Sequence, residues 1–154
     1  MKIAVSTDHR GADVYQRIID LVRESGHELA DAPTCHTNSC DYPDMAYGVS
    51  TAVAEGRADR GILVCGSGIG MSISANKVPG VRAALCHDDL TAEMSRRHNN
   101  ANVLCMSADL LGLPLIEKIV SVWLDTEFEG GRHARRVNKI TAIESGADPA
   151  TVTE

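Results

Sequence analysis

The sequence predicts an α/β protein, a Rossmann-like three-layer α/β/α sandwich around a mostly parallel five-stranded sheet. Short apolar runs alternate along the chain with amphipathic segments of ten or more residues, the pattern of βαβ crossovers and of a sheet covered on both faces. The clearest apolar run, Gly61-Ile62-Leu63-Val64-Cys65, passes directly into the glycine-rich Gly66-Ser67-Gly68-Ile69-Gly70. The chain has 154 residues, 44% hydrophobic and 23% charged, enough for one domain with a core of its own. We place that domain over residues 1–145 and read 146–154 as a frayed tail.

Taken in order, Ile3-Ala4-Val5 is a buried strand, followed by a helix from about Ala12 to Glu24 with Val14, Ile18, Leu21 and Val22 on one face. Gly26 stops it, Glu28-Leu29-Ala30 forms a weaker strand, residues 32–41 loop, and Tyr42 to Ala54 is helical. The strand 61–65 and the glycine loop lead into a helix ending near Lys77, and Pro79-Gly80 turns the chain. Val81–Leu85 is the fourth strand, Leu90–Arg97 a helix, and Asn102–Met106 the fifth strand. Pro114 opens a helix whose Leu115, Ile116, Ile119, Val120 and Trp123 form a broad apolar face, and a cationic helix covers about 132–145.

Composition excludes several classes. Fifteen Lys+Arg against 21 Asp+Glu give a net charge of −6, without the basic footprint that nucleic-acid modules need. Aromatics are 3%, too few for base-stacking platforms. No stretch approaches the ~18 apolar residues of a membrane span, and the N-terminal run is too short for a signal peptide, so a cytoplasmic protein is expected. The five cysteines are an odd number in a chain with an adequate core, which fits reduced thiols better than a disulfide framework.

In parallel sheets ligands bind beyond the carboxyl ends of the strands, which selects Asp8-His9, Cys65 to Gly70 and Cys86-His87. The loop Gly66, Ser67, Gly68, Ile69 and Gly70 places backbone N–H groups where a phosphate, carboxylate or oxyanion is favoured. It departs from a dinucleotide fingerprint, because Met71 stands where a third glycine belongs, and it lacks nucleophile-elbow spacing. Cys65 ends a buried strand at this loop, where a helix dipole favours a thiolate able to act as base or nucleophile; alone, it reads as a small buried hydrophobe. Asp8-His9 reads equally as a turn or cap. Cys86-His87 fits a packed strand end, and Cys35-His36 with Cys40-Asp41 fits a polar loop better than a metal site, for want of a second ligand cluster. Arg132 and Arg136, spaced i, i+4, put two guanidinium groups on one face, suited to a dianionic phosphate beside the glycine loop.

His98 and Asn99 end a helix that runs back across the sheet, so they belong at its amino edge while Cys65 belongs at its carboxyl edge. A strand of five or six residues separates these edges by ~17–20 Å. Both serve one site only if His98 and Asn99 come from a second subunit, which predicts a homodimer with shared sites, or a tetramer of two such dimers.

Asp8-His9, Asp41-Tyr42-Pro43, Cys65 to Gly70, Ala75-Asn76-Lys77, Arg96-Arg97-His98-Asn99 and Glu129-Gly130-Gly131-Arg132-His133 together resemble the type B ribose-5-phosphate isomerases, a family that includes galactose-6-phosphate isomerase subunits. The resemblance spans about residues 1–145. It implies a cofactor-independent aldose–ketose isomerase interconverting ribose 5-phosphate and ribulose 5-phosphate in carbohydrate metabolism. Cys65 would be the base at C1/C2, His98 the acid that opens the furanose ring, and Ser67 a proton shuttle. Asp8, His9, Gly66, Ser67, Gly68, Ile69, Gly70 and Asn99 would contact substrate, and Arg132 and Arg136 would hold the phosphate; no metal is implied. Asp109 departs from the family, which usually carries a substrate-binding arginine there. That departure keeps a tetrose 4-phosphate, galactose 6-phosphate or allose 6-phosphate open as substrate. From another class, the same cleft could belong to a non-catalytic sugar-phosphate or nucleotide sensor.

Overall fold

The computed structural model describes residues 1–35 and 39–153. Its strands are β1 (Lys2–Thr7), β2 (Glu28–Leu29), β3 (Arg60–Cys65), β4 (Ala83–Leu85) and β5 (Val103–Ser107). The helices are α1 (Ala12–Glu24), α2 (Tyr42–Ala54), α3 (Ile69–Ala75), α4 (Asp89–Asn99), α5 (Leu113–Asp125) and α6 (Arg132–Glu144). The five strands make one sheet in the order β2-β1-β3-β5-β4, and every pairing is parallel. The α/β class expected from the alternation is therefore present, in its all-parallel form.

Side-chain alternation along the strands divides the core in two. Ile3, Val5, Ile62, Val64, Leu104 and Met106 face the layer holding Ile18 and Val22 of α1 and Ile116, Ile119 and Trp123 of α5. Ala4, Leu63, Cys65, Val103 and Cys105 face the other layer, against Ala46 and Val49 of α2 and Met71 of α3. Cys65 thus enters the α2–α3 side of the sheet because it is one residue out of phase with Val64.

The helices start and stop for local reasons. Asp88 accepts from the Thr91 N–H in a reciprocal capping box, which holds its carboxyl below the usual range and begins α4. Asn100, at φ 46°, closes α4 in a left-handed cap. β4 is two residues shorter than expected because Arg82 donates its N–H to the Asn102 side chain and Val81 turns back onto the Val78 carbonyl. α3 ends at Ala75, where Asn76 bonds the Ser72 and Ala83 carbonyls. Beyond α6, Pro149–Thr151 forms a 3-10 turn capped by Asp148, and Lys139 donates to the Pro149 carbonyl.

The expectation that all five cysteines are reduced thiols is corrected. Cys35 and Cys40 form a disulfide, and Cys65, Cys86 and Cys105 are free. Their Cα atoms lie 5.9 Å apart, within disulfide reach, a proximity that counting cysteines does not reveal. His36, weighed with Cys35 as a metal ligand, lies outside the described residues. Among the described residues no helix is long and apolar enough to cross a membrane.

Candidate active site

The sheet reverses its winding between β1, whose chain continues outward to β2, and β3, whose chain continues toward β4 and β5. Such a switch point opens a crevice at the carboxyl ends of its two strands. Asp8 and His9 follow β1, and Cys65 ends β3, so the first two groups expected at the site do meet there.

Backbone bonds hold this edge. Asp8 donates its N–H to the Val64 carbonyl, and its buried carboxylate accepts from the N–H groups of Arg10 and Gly11 at 2.8 and 3.3 Å. Both of those bonds use Oδ1, so Asp8 caps the turn after β1. His9 is exposed, and its Nδ1 lies 3.3 Å from the Cys40 carbonyl oxygen and 3.4 Å from the Cys40 nitrogen. The Cys40 backbone thereby sits against the His9 ring.

The Sγ of Cys65 accepts the Gly68 N–H at 3.1 Å. Gly68 takes φ +74°, and a Cβ there would fall 2.8 Å from the Met106 carbonyl carbon, so this turn requires glycine. Gly70 is constrained differently, because the Tyr42 ring would lie 2.5 Å from its Cβ. Ser67 accepts the Ile69 N–H, and Ile69 is exposed. The loop after β5 secures the glycine loop: Ser107 Oγ donates to the Gly66 carbonyl at 2.5 Å, and the Asp109 N–H donates to it at 3.0 Å. Burial pushes the Cys86 and Cys105 thiols up, and both pack in the core, so the strand-end reading of Cys86 stands.

At the opposite edge the second set of groups assembles. His98 and Asn99 close α4, and the Asn99 carbonyl accepts from Arg82 at the entrance to β4. His98 stacks on His133 of α6 with centroids 4.1 Å apart and planes 2° from parallel. Glu129 reaches both rings, with Oε2 3.9 Å from His98 Nε2 and 3.6 Å from His133 Nε2. Arg97 pairs with Glu129 and holds its carboxyl below the usual range. Burial, with His98 and Arg132 nearby, pushes the His133 pKa down. Arg132 donates from Nε to His133 Nε2 at 3.3 Å, and Arg136 is exposed one turn further along α6.

The expectation that Arg132 and Arg136 flank the glycine loop is not met inside one chain. α5 crosses back over the sheet, so α6 begins beside His98 and not beside Cys65. Ser107, Arg10, Glu129 and Arg97 were not singled out for roles by the sequence reading. Glu129 and His133 stood in a quoted motif, but their contact with His98 spans about thirty residues of chain and left no local signal.

His98, Glu129 and His133 offer ligand atoms within 4.8 Å of one another, the one such triad among the described residues. The donor set suits a cation poorly: Arg132 occupies His133 Nε2, and the Arg97 guanidinium already neutralises Glu129.

With this geometry in place, comparison with known proteins is decisive. The sequence pattern of the family described as Ribose/Galactose Isomerase matches residues 3–140. The chain belongs to that family. It is 46% identical to ribose-5-phosphate isomerase B of Escherichia coli over 93% of this chain and 96% of the relative. Identity to D-erythrulose-4-phosphate isomerase of Pectobacterium atrosepticum is 43%, over 94% of this chain and 95% of the relative. Among solved structures, ribose-5-phosphate isomerase B of Clostridium thermocellum superposes with a TM-score of 0.90 at 49% identity, covering 95% of this chain and 99% of the other. The Mycoplasma genitalium enzyme with bound ribulose-5-phosphate superposes at 0.88 with 39% identity, covering 94% and 96%. The protein is a sugar-phosphate isomerase.

Proposed function

We propose that the protein interconverts D-ribose 5-phosphate and D-ribulose 5-phosphate in a site shared by two subunits. The observation that carries this reading is Cys65: its sulfur accepts the Gly68 N–H at the switch point, next to Asp8 and His9. An amide donor of this kind stabilises a thiolate.

The open-chain aldose phosphate lies across the glycine loop. Cys65 thiolate removes the proton from C2, and the electron pair moves through the C1–C2 bond onto the carbonyl oxygen, giving an enediolate. Backbone N–H groups of Gly66 to Gly70 meet that charge. Ser67 relays a proton between the two oxygens, and the Cys65 thiol returns its proton to C1. The isomerisation is redox-neutral, and every proton is accounted for by the two side chains and the sugar.

Furanose opening requires an acid at the ring oxygen. His98 is assigned that role, with Asn99 contacting the sugar and Arg132 and Arg136 the phosphate. β5 alone is five residues, roughly 17 Å at ~3.3 Å per residue, so these groups reach a Cys65 site only from a second subunit. That distance supports the reading of a site shared across a homodimer.

A tetrose 4-phosphate is the second reading, favoured by the Asp109 carboxylate lying over Gly66 and by the erythrulose-phosphate isomerase among the relatives. The test is kcat/KM across four-, five- and six-carbon aldose and ketose phosphates, with solvent exchange at C2. We expect the five-carbon pair to lead, and Cys65→Ala to lose exchange by ~10²–10⁴-fold while still folding. A four-carbon preference replaces the substrate assignment, and exchange at the native rate in Cys65→Ala removes the base.

A further inference from the structure

Arg10, in the 3-10 turn after β1, and Asp109, in the turn after β5, are 99 residues apart and meet beside Gly66. Arg10 donates from Nε at 3.2 Å and from Nη2 at 2.8 Å, and both bonds end on the same carboxylate oxygen, Oδ1. Oδ2 is left with no hydrogen-bond partner among the described residues. It is aimed at the loop floor, since a Cβ built on Gly66 would lie 2.8 Å from it. The Asp109 N–H, donated to the Gly66 carbonyl, fixes the backbone beneath the carboxylate. Ala108, His9 and Asp13 complete a cavity of about 310 Å³ beside the pair.

The charges decide what this lip can bind. Arg10 and Asp109 neutralise one another, so the lip offers no net attraction to a phosphate. A carboxylate oxygen held by a guanidinium on one side and open on the other is instead an acceptor for a hydroxyl hydrogen. We propose that Asp109 is a specificity-determining residue that takes one sugar hydroxyl through Oδ2, with Arg10 as the positioning residue that holds the carboxylate over the glycine loop. A side chain at Gly66 would compete with this carboxylate for the space of its Cβ. This assignment rests on the reading of the carboxyl edge as the isomerase site, but not on which sugar phosphate is used.

The experiment first identifies the sugar phosphate the native enzyme turns over best. It then compares that sugar with single-deoxy analogues that still close the furanose ring; for ribose 5-phosphate this is the 3-deoxy compound. Failure of ribose 5-phosphate as the substrate would therefore be seen separately, in the first step. We expect the native enzyme to favour the parent sugar over one analogue by about tenfold or more in kcat/KM. Asp109→Ala should erase that preference, losing activity on the parent and not on the analogue. Arg10→Ala should raise KM for the parent and weaken the same preference, and Arg10→Lys should restore part of it. Thermal unfolding of each variant confirms that this exposed pair has been removed from a folded protein. An unchanged parent-to-analogue ratio in Asp109→Ala overturns the proposal, as does an equal loss on parent and analogues.

Discussion

The two edges of the sheet are built from opposite materials. The carboxyl edge is held by backbone bonds and carries a thiol, two carboxylates and a neutralised arginine, Arg10. The amino edge is packed with cations. Arg60 and Arg96 both lie against the buried Trp123, with guanidinium carbons 5.5 and 5.7 Å from its ring centroid, and Arg82 binds the Asn99 and Asn100 carbonyls. Arg97, Arg132 and Arg136 lie on the outside of that corner, with Arg97 paired to Glu93 and Glu129. The difference teaches that a chain of net charge −6 can still gather many of its arginines at one edge.

The largest effect expected from this division is complementation. Cys65→Ala and His98→Asn homodimers should each be nearly inactive. Unfolding and refolding the two together should restore about a quarter of native activity, because half the dimers are mixed and each carries one intact site. No recovery in verified mixed dimers would break the comparison, since the two edges would then not serve one site.

Next in size is the phosphate. Arg132→Ala with Arg136→Ala should lower kcat/KM for the phosphorylated sugar by ~10–100-fold, chiefly through KM, with no change for the free sugar. Equal losses on both would make the α6 cations structural.

Arg60→Ala should cost about 2–4 kcal/mol of stability, read as a lowered denaturation midpoint, because the Trp123 and Leu124 carbonyls it binds at 3.0 Å would be left unpaired. The burial that lowers the pKa of Arg60, and brings that of Arg96 to about 10, marks these arginines as core components and not as ligands for substrate.

The smallest effect concerns pH. His133 has a lower pKa folded than unfolded, so the unfolded state binds more protons as pH falls below about 6.5. Stability should therefore decline with falling pH through that window and be fully present above it. His133→Asn should flatten the slope of denaturation midpoint against pH between about 7 and 5. An unchanged slope would assign the dependence to other groups.

Much of this organisation is legible in the chain before any fold is known. The alternation of apolar runs and amphipathic segments determines a covered parallel sheet, because a strand buried on both faces and a helix buried on one have different periods. The passage from Val64 through Cys65 into glycines places a thiol at a strand end, and counting strand lengths places His98 at the other edge. The arginines at 132 and 136 share a face by helical spacing alone. Only the tertiary structure decided the rest: the strand order that makes β1 and β3 a switch point, the Cys35–Cys40 disulfide, the His98–His133 stack and the Arg10–Asp109 pair. The physical reason is range. Periodicity records which face of a segment avoids water, whereas these contacts join side chains brought together by turns and crossovers, and their geometry is written in no single segment.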